Sequence, residues 1–177
     1  MKEEIGKLFE IIQEKKIEEY KYAGVWAMFG VEKSDKKSKY RCLNVGKSKN
    51  IGQELEYDFR RLKFFKKCIN KEKQYRNQFN ELMFTYPEYA NRLDWLYMKI
   101  KEKYKDFFWI VVAKEDSYLI EKYFAYSTKS AYWVSNGRYS PETKVDIEAI
   151  RNGIDISSLE TGLSEKINAL RNMLDNL

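Results

Sequence analysis

Residues 24–50 read GVWAMFGVEKSDKKSKYRCLNVGKSKN, and the fold is best approached from this stretch. Val25, Ala27 and Phe29 alternate with Trp26 and Met28. Across a Ser/Asp/Lys loop, Tyr40, Cys42 and Asn44 alternate with Arg41, Leu43 and Val45. Period-two patterning on both sides of a polar loop predicts an antiparallel hairpin. A helix is expected to follow directly over residues 50–68, with Ser48 as candidate N-cap and Ile51, Leu55, Phe59, Leu62 and Phe65 as its apolar stripe.

Working outward, Ile5, Leu8, Phe9 and Ile12 fall at helical spacing and predict a helix over 2–19. Tyr75, Phe79, Leu82 and Met83 predict a further helix over 72–84. Pro87 then suits the first turn of another over 88–104, which Asp106 is expected to end. The run from Phe107 to Ala113 is continuously apolar, short, and rich in β-branched and aromatic residues. It predicts a central strand buried on both faces. Glu115, Asp116 and Ser117 cap a helix from Tyr118 to about Tyr126, which carries Glu121, and the segment from Ala131 runs to a turn at Asn136-Gly137.

Ser140-Pro141-Glu142 predicts a short helix stopped at Gly153, and Ser157 with Glu160 resembles a capping box. Leu159, Leu163, Ile167, Leu170 and Leu174 form a final stripe that either covers the core or pairs two copies as a homodimer. The expected class is α+β: an N-terminal helix (1–20), a core domain (21–139) and a C-terminal helical extension (140–177). The core would hold a small antiparallel or mixed three-stranded sheet, the hairpin plus one central strand, flanked by helices.

Composition narrows the chemistry. The 177 residues include no histidine, which excludes Ser-His-Asp and Cys-His nucleophiles and His-ligated metals. The two cysteines, Cys42 and Cys68, are too few for a zinc site and are expected to be structural thiols. No apolar run is long enough to span a membrane, and the acidic, amphipathic N-terminus is unlike a signal peptide, so a cytoplasmic protein without a membrane partner is expected. The formal charge is +6 and the pI about 9.1, which suits a polyanion partner. Lys47, Lys49, Arg60, Arg61, Lys63, Lys66 and Lys67 are the candidate phosphate contacts, with Lys36, Lys37 and Lys39 of the hairpin loop as a second patch. A solvated helix face would carry the same charges.

The order strand, strand, helices, strand, helix joins Gly24-Val25-Trp26 on one strand and Asn44-Val45-Gly46-Lys47-Ser48-Lys49-Asn50-Ile51 after the next. Over roughly residues 22–137 this resembles the GIY-YIG nuclease family. The second motif is not a P-loop, because Cys42 stands where the first glycine would be required. The resemblance implies metal-assisted phosphodiester cleavage, with tyrosines that activate water, an arginine on the developing charge, a metal-binding glutamate and a supporting asparagine.

In this sequence Trp26 and Asn44 fall at the two tyrosine positions and Glu54 at the arginine position, while Glu121 and Asn136 match the glutamate and asparagine. The resemblance therefore implies a degenerate active site. Glu121 remains as the ligand for one Mg²⁺, and Glu54 is a candidate second carboxylate. Tyr22 and Tyr40 lie on the strand faces of the lost positions but about 26 Å apart, too far to share one metal. Arg61 lies about 10 Å along the helix from Glu54.

Three functions fit these residues. The first is a nucleic-acid-binding protein, DNA before RNA, that has lost hydrolysis. The second is a divergent Mg²⁺-dependent endonuclease using Glu121. The third is a mobile-element inhibitor that binds a host nucleoprotein such as a defence nuclease.

Overall fold

The computed structural model describes residues 1–37, 39–63, 72–87, 91–134 and 146–176. Among these residues the architecture is α+β, built on a four-stranded antiparallel sheet in the order β1 (Glu10–Ile12), β6 (Tyr104–Ala113), β2 (Gly24–Glu32), β3 (Tyr40–Ser48), with a separate two-stranded ribbon of β4 (Glu72–Arg76) and β5 (Leu82–Pro87). The hairpin is β2 (Gly24–Glu32) and β3 (Tyr40–Ser48), and the central strand is β6 (Tyr104–Ala113). Both expectations hold for the described residues.

Alternation along β2 sends its side chains into two different cores. Val25, Ala27 and Phe29 enter one, with Phe108, Ile110 and Val112 of β6. Trp26 and Met28 enter the other, with Trp109 and Val111. A β-bulge between Met28 and Phe29 sets two residues of β3, Leu43 and Asn44, against one of β2. The strict alternation expected for β3 therefore breaks. Cys42 and Val45 face the first core and Leu43 faces the second.

The first core is covered by α1 (Lys2–Leu8), α4 (Tyr118–Ser127), α5 (Ile147–Asn152) and α6 (Thr161–Asp175). Ile167 and Leu170 are fully buried there, so the C-terminal stripe covers the core of its own chain. The second core is covered by a 3-10 segment (Glu14–Tyr20), α2 (Ile51–Lys63), α3 (Arg92–Lys103) and the β4-β5 ribbon.

Several expectations are corrected. The sheet has four strands instead of three, because Glu10–Ile12 form β1 and pair with the edge of β6. The predicted N-terminal helix is thus α1, a strand and a 3-10 segment. Its apolar spacing suits that arrangement too, with Ile11 packing against one core and Ile12 buried in the other.

The predicted helix over 72–84 is the hairpin β4 (Glu72–Arg76) and β5 (Leu82–Pro87), where Tyr75 lies opposite Phe84 with rings stacked 4.8 Å apart. Pro87 ends that strand, and α3 starts at Arg92 behind an Asn91 cap. Asp106 lies inside β6 at φ 54°, a left-handed conformation that Asp tolerates, so the strand starts three residues earlier than expected and continues past it.

Asn50, rather than Ser48, caps α2 by accepting from Gln53 N at 3.0 Å. The Ser48 hydroxyl instead accepts from Asn50 N, one link upstream of that cap. The Ser157–Glu160 capping box is absent, since the Ser157 N–H donates to Asp155 and α6 begins without a side-chain cap. The short helix α5 starts behind Asp146, and Ser140-Pro141-Glu142, like Cys68, lies outside the described residues.

Candidate functional site

Three of the positions picked out by the sequence resemblance meet in one place. Trp26, Asn44 and Glu54 line a cavity of about 230 Å³ together with Tyr57, Asp58, Arg61, Leu93 and Tyr97. Its floor is the α2/α3 side of the hairpin and its walls are α2 and α3. The β-bulge brings Asn44 to this face. It also places Tyr40 on the opposite face, packed against Phe108, so Tyr40 cannot stand in for Asn44. Tyr22 stays on the cavity side of the sheet, but burial pushes its phenol up to about 12.

Gly46 shapes the floor. A Cβ there would come within 2.5 Å of the Trp26 indole. Only glycine lets the ring lie flat against β3, so the glycine of the Val-Gly-Lys-Ser motif positions the tryptophan of the first strand. Trp26 is 2 % exposed, and its Nε1–H meets no partner in hydrogen-bond geometry among the described residues, although it lies close enough to the Glu54 carboxyl to lower its pKa. The Tyr97 hydroxyl, on a side chain 1 % exposed, likewise meets no such geometry but lies beside the Asp58 carboxylate and Asn44.

The charges are arranged around these groups. Asp58 is buried and accepts from Arg61 at 2.8 Å, and Arg61 also reaches Asp94 at 3.2 Å. Arg61 thus comes to the cavity itself, held by two carboxylates, rather than to a phosphate further out. Burial raises the Glu54 carboxyl above its ordinary pKa. The Asp58 and Glu121 charges add to this, and the Ser48 hydroxyl and Trp26 indole offset part of it. Asp58 is also raised, by burial, against the lowering effect of Tyr97 and Arg61. The Tyr97 phenol is pushed far above its ordinary range by burial and then by the neighbouring Asp58 charge, so it stays neutral at working pH.

Glu121 belongs to a neighbouring cluster. It accepts from the Trp133 indole at 2.9 Å, and burial, with smaller effects from Lys47 and Asp116, leaves its pKa raised. Lys47 pairs with Asp116 at 2.7 Å. Among the described residues, no three metal-ligating side chains gather, around Glu121 or elsewhere. This donor set does not by itself make the shell of oxygens that Mg²⁺ takes. The Glu121 charge contributes to the raised pKa of Glu54.

The remaining sequence candidates are placed as follows. Asn136, Lys66 and Lys67 lie outside the described residues. Arg60 pairs with Glu56 at 2.5 Å and Lys63 with Glu14. Lys49, Lys36 and Lys37 are exposed. Lys39 is half-buried, in a loop that Asp35 organises by accepting from the backbone N–H groups of Lys37 and Lys39. Asp58, Tyr57, Leu93 and Tyr97 were not candidates from the sequence. A buried Asp on an apolar helix stripe, followed three residues later by Arg, is a signal that could have found the first of them.

Among the described residues no helix is long and apolar enough to cross a membrane. No known protein family, curated protein or solved structure matches the chain.

Proposed function

We propose that the chain is a nucleic-acid-binding protein on a GIY-YIG-nuclease-like core whose hydrolytic site has been replaced. The observation that carries this is the meeting of Trp26, Asn44 and Glu54 in one cavity. The resemblance implied these three positions on a strand, a second strand and a helix, and their side chains line one space. Their chemistry is not that of phosphodiester cleavage. Trp26 has only an N–H to donate, Asn44 is no base, and Glu54 puts a negative group where a developing phosphorane needs a positive one. Binding would run through exposed Lys49, Lys36 and Lys37 and through Arg60, with phosphate contacts and no hydrolysis.

Plasmid nicking with Mg²⁺ or Mn²⁺, beside a Glu121→Ala control, tests the loss of hydrolysis. The expected result is no cleavage by either protein. Metal-dependent cleavage abolished in Glu121→Ala would establish the endonuclease reading instead.

A second reading has its own observation. Lys47, Arg60, Arg61 and Lys63 are each engaged by a carboxylate of this chain, which leaves fewer cations for phosphates than the sequence offers. That arrangement favours a protein partner, as for an inhibitor of a host nucleoprotein. Co-purification with such a partner, together with no shift of free DNA at low salt, would select it.

A further inference from the structure

We propose that the phosphate backbone of a nucleic acid is held at the hairpin-loop end of the sheet, on a surface shared by the loop after β2, the end of α3 and the start of β6, without selection among bases. The inference rests on the nucleic-acid reading and adds to it the place where the strand lies.

The fold joins two basic stretches that are far apart in sequence. Residues 32–41 hold five basic and two acidic side chains, and residues 101–106 hold three basic and two acidic ones. Together they carry a surplus of four positive charges, out of a formal +6 for the whole chain. The backbone fixes their junction. The Lys33 N–H donates to the Lys103 carbonyl at 2.9 Å, and the Lys33 ammonium donates to the Lys101 carbonyl at 2.7 Å. In the sheet Val31 lies opposite Tyr40 on one side and Lys105 on the other, and Gly30 lies opposite Arg41.

Three of the four acids here are already engaged. Glu32 faces Lys103 at 3.6 Å, and Glu102 pairs with Lys99 at 2.7 Å. Asp35 accepts from the backbone N–H groups of Lys37 and Lys39, at 2.8 and 3.0 Å, and so shapes the loop. Asp106 is the fourth, and it is exposed. Among the described residues Lys36, Lys37, Arg41, Lys101 and Lys105 are exposed with no carboxylate paired to them. The α2 side contrasts, since Lys47, Arg60, Arg61 and Lys63 are each held by a carboxylate. A paired cation presents little net charge to a phosphate, and an unpaired one presents all of it. A polyanion is therefore drawn to the loop end.

Nothing at this end reads a base. The exposed large apolar side chains among the described residues are Tyr57, Leu82, Leu93 and Tyr118, and none belongs to these two stretches. Tyr40, where the loop rejoins the sheet, packs edge-on against Phe108 at 5.1 Å. Without an exposed aromatic face for stacking, the lysines contact phosphates alone, and such contacts carry no sequence information.

The test is fluorescence anisotropy with the full chain and two labelled single strands of equal length, an oligothymidylate and a mixed sequence. Wild type is compared with a loop-end variant, which combines Lys36→Gln, Lys37→Gln, Lys101→Gln and Lys105→Gln, and with a second variant combining Lys49→Gln and Arg60→Gln. The two strands should bind wild type within about twofold of one another. Each phosphate contact to a single strand adds about 0.7 to the slope of log affinity against log salt, so four contacts give about a fiftyfold loss between about 50 and about 200 mM salt. In the loop-end variant this loss should shrink to about threefold or less, or binding should be lost outright. In the second variant it should stay above about tenfold. The four loop-end side chains are exposed and unpaired, so thermal unfolding of that variant should coincide with wild type.

A loop-end variant that keeps the wild-type salt dependence overturns the inference and leaves the nucleic-acid reading standing. So does a second variant that loses more of that dependence than the loop-end one. A preference above about tenfold for either strand overturns the lack of base selection. Undetectable binding of both strands to wild type overturns this inference and the nucleic-acid reading together.

Discussion

Trp133 and Trp26 are both buried indoles with a glutamate for neighbour, and they differ in one bond. Trp133 donates to Glu121 at 2.9 Å, on the face of the sheet covered by α4. Trp26 lies beside Glu54 on the opposite face, and its N–H is unpartnered among the described residues. The closed pair ties the segment after α4 back onto that helix, directly after Ala131 and Tyr132 have donated to the backbone of β3. The open pair forms the wall of a cavity. A satisfied buried polar contact is the mark of a fold being held together. A buried N–H outside hydrogen-bond geometry supplies no such tie.

The comparison can be broken at several points. The largest effect is expected from Asp58→Ala, which leaves Arg61 half-buried with only Asp94 for company. A loss of about 3 kcal/mol in denaturant unfolding is expected, the low end for breaking a buried pair. Gly46→Ala should cost about 2 kcal/mol, since its methyl meets the Trp26 ring and the neighbouring strand is too well packed to retreat. Its near-ultraviolet circular dichroism should change as the indole shifts.

Trp133→Phe and Trp26→Phe remove similar volume from equally buried sites. Only the first deletes a hydrogen bond to a carboxylate, so Trp133→Phe should cost about 1–2 kcal/mol more than Trp26→Phe. Equal losses would mean that the Trp26 N–H is satisfied after all.

The smallest effect depends on pH. Burial holds the Glu54 carboxyl above its ordinary 4.5, so the folded state retains a proton that the unfolded chain has already released. Its contribution favours folding below the unfolded pKa and is lost as pH rises through the folded one. Glu54→Gln removes this dependence. The stability of the variant relative to wild type should therefore rise between about pH 4 and pH 7. A difference that is flat or falls over that range would contradict the burial of this carboxylate.

The sequence carried the hairpin, the β6 strand and the Ser117-capped α4 plainly, because each has a strong local signature of period two, a continuous apolar run, or a cap. It misled at 72–84, where Tyr75, Phe79, Leu82 and Met83 fit helical spacing as well as they fit two short strands. Asn77 and Asn80 were the turn signal that should have decided it. The Asn77 side chain closes the turn by accepting from Phe79 and Glu81, and Asn80 takes φ 66°.

The cavity was half legible. Trp26, Asn44 and Glu54 come only from the family resemblance, and Asp58 and Tyr97 join them only through the packing of α3 on α2, which no local pattern reports. The partners of the basic residues were not legible for a similar reason. Glu14, Glu56, Asp94 and Asp116 reach its cations through turns of helix or contacts distant in sequence.

The most direct test of the nucleic-acid reading is the salt dependence of binding to a labelled single-stranded oligonucleotide, read by anisotropy. With roughly four phosphate contacts to a single strand, affinity should fall about fiftyfold between about 50 and about 200 mM salt. Undetectable binding at the lower salt, or an affinity that ignores salt, would contradict the account and direct attention to a protein partner.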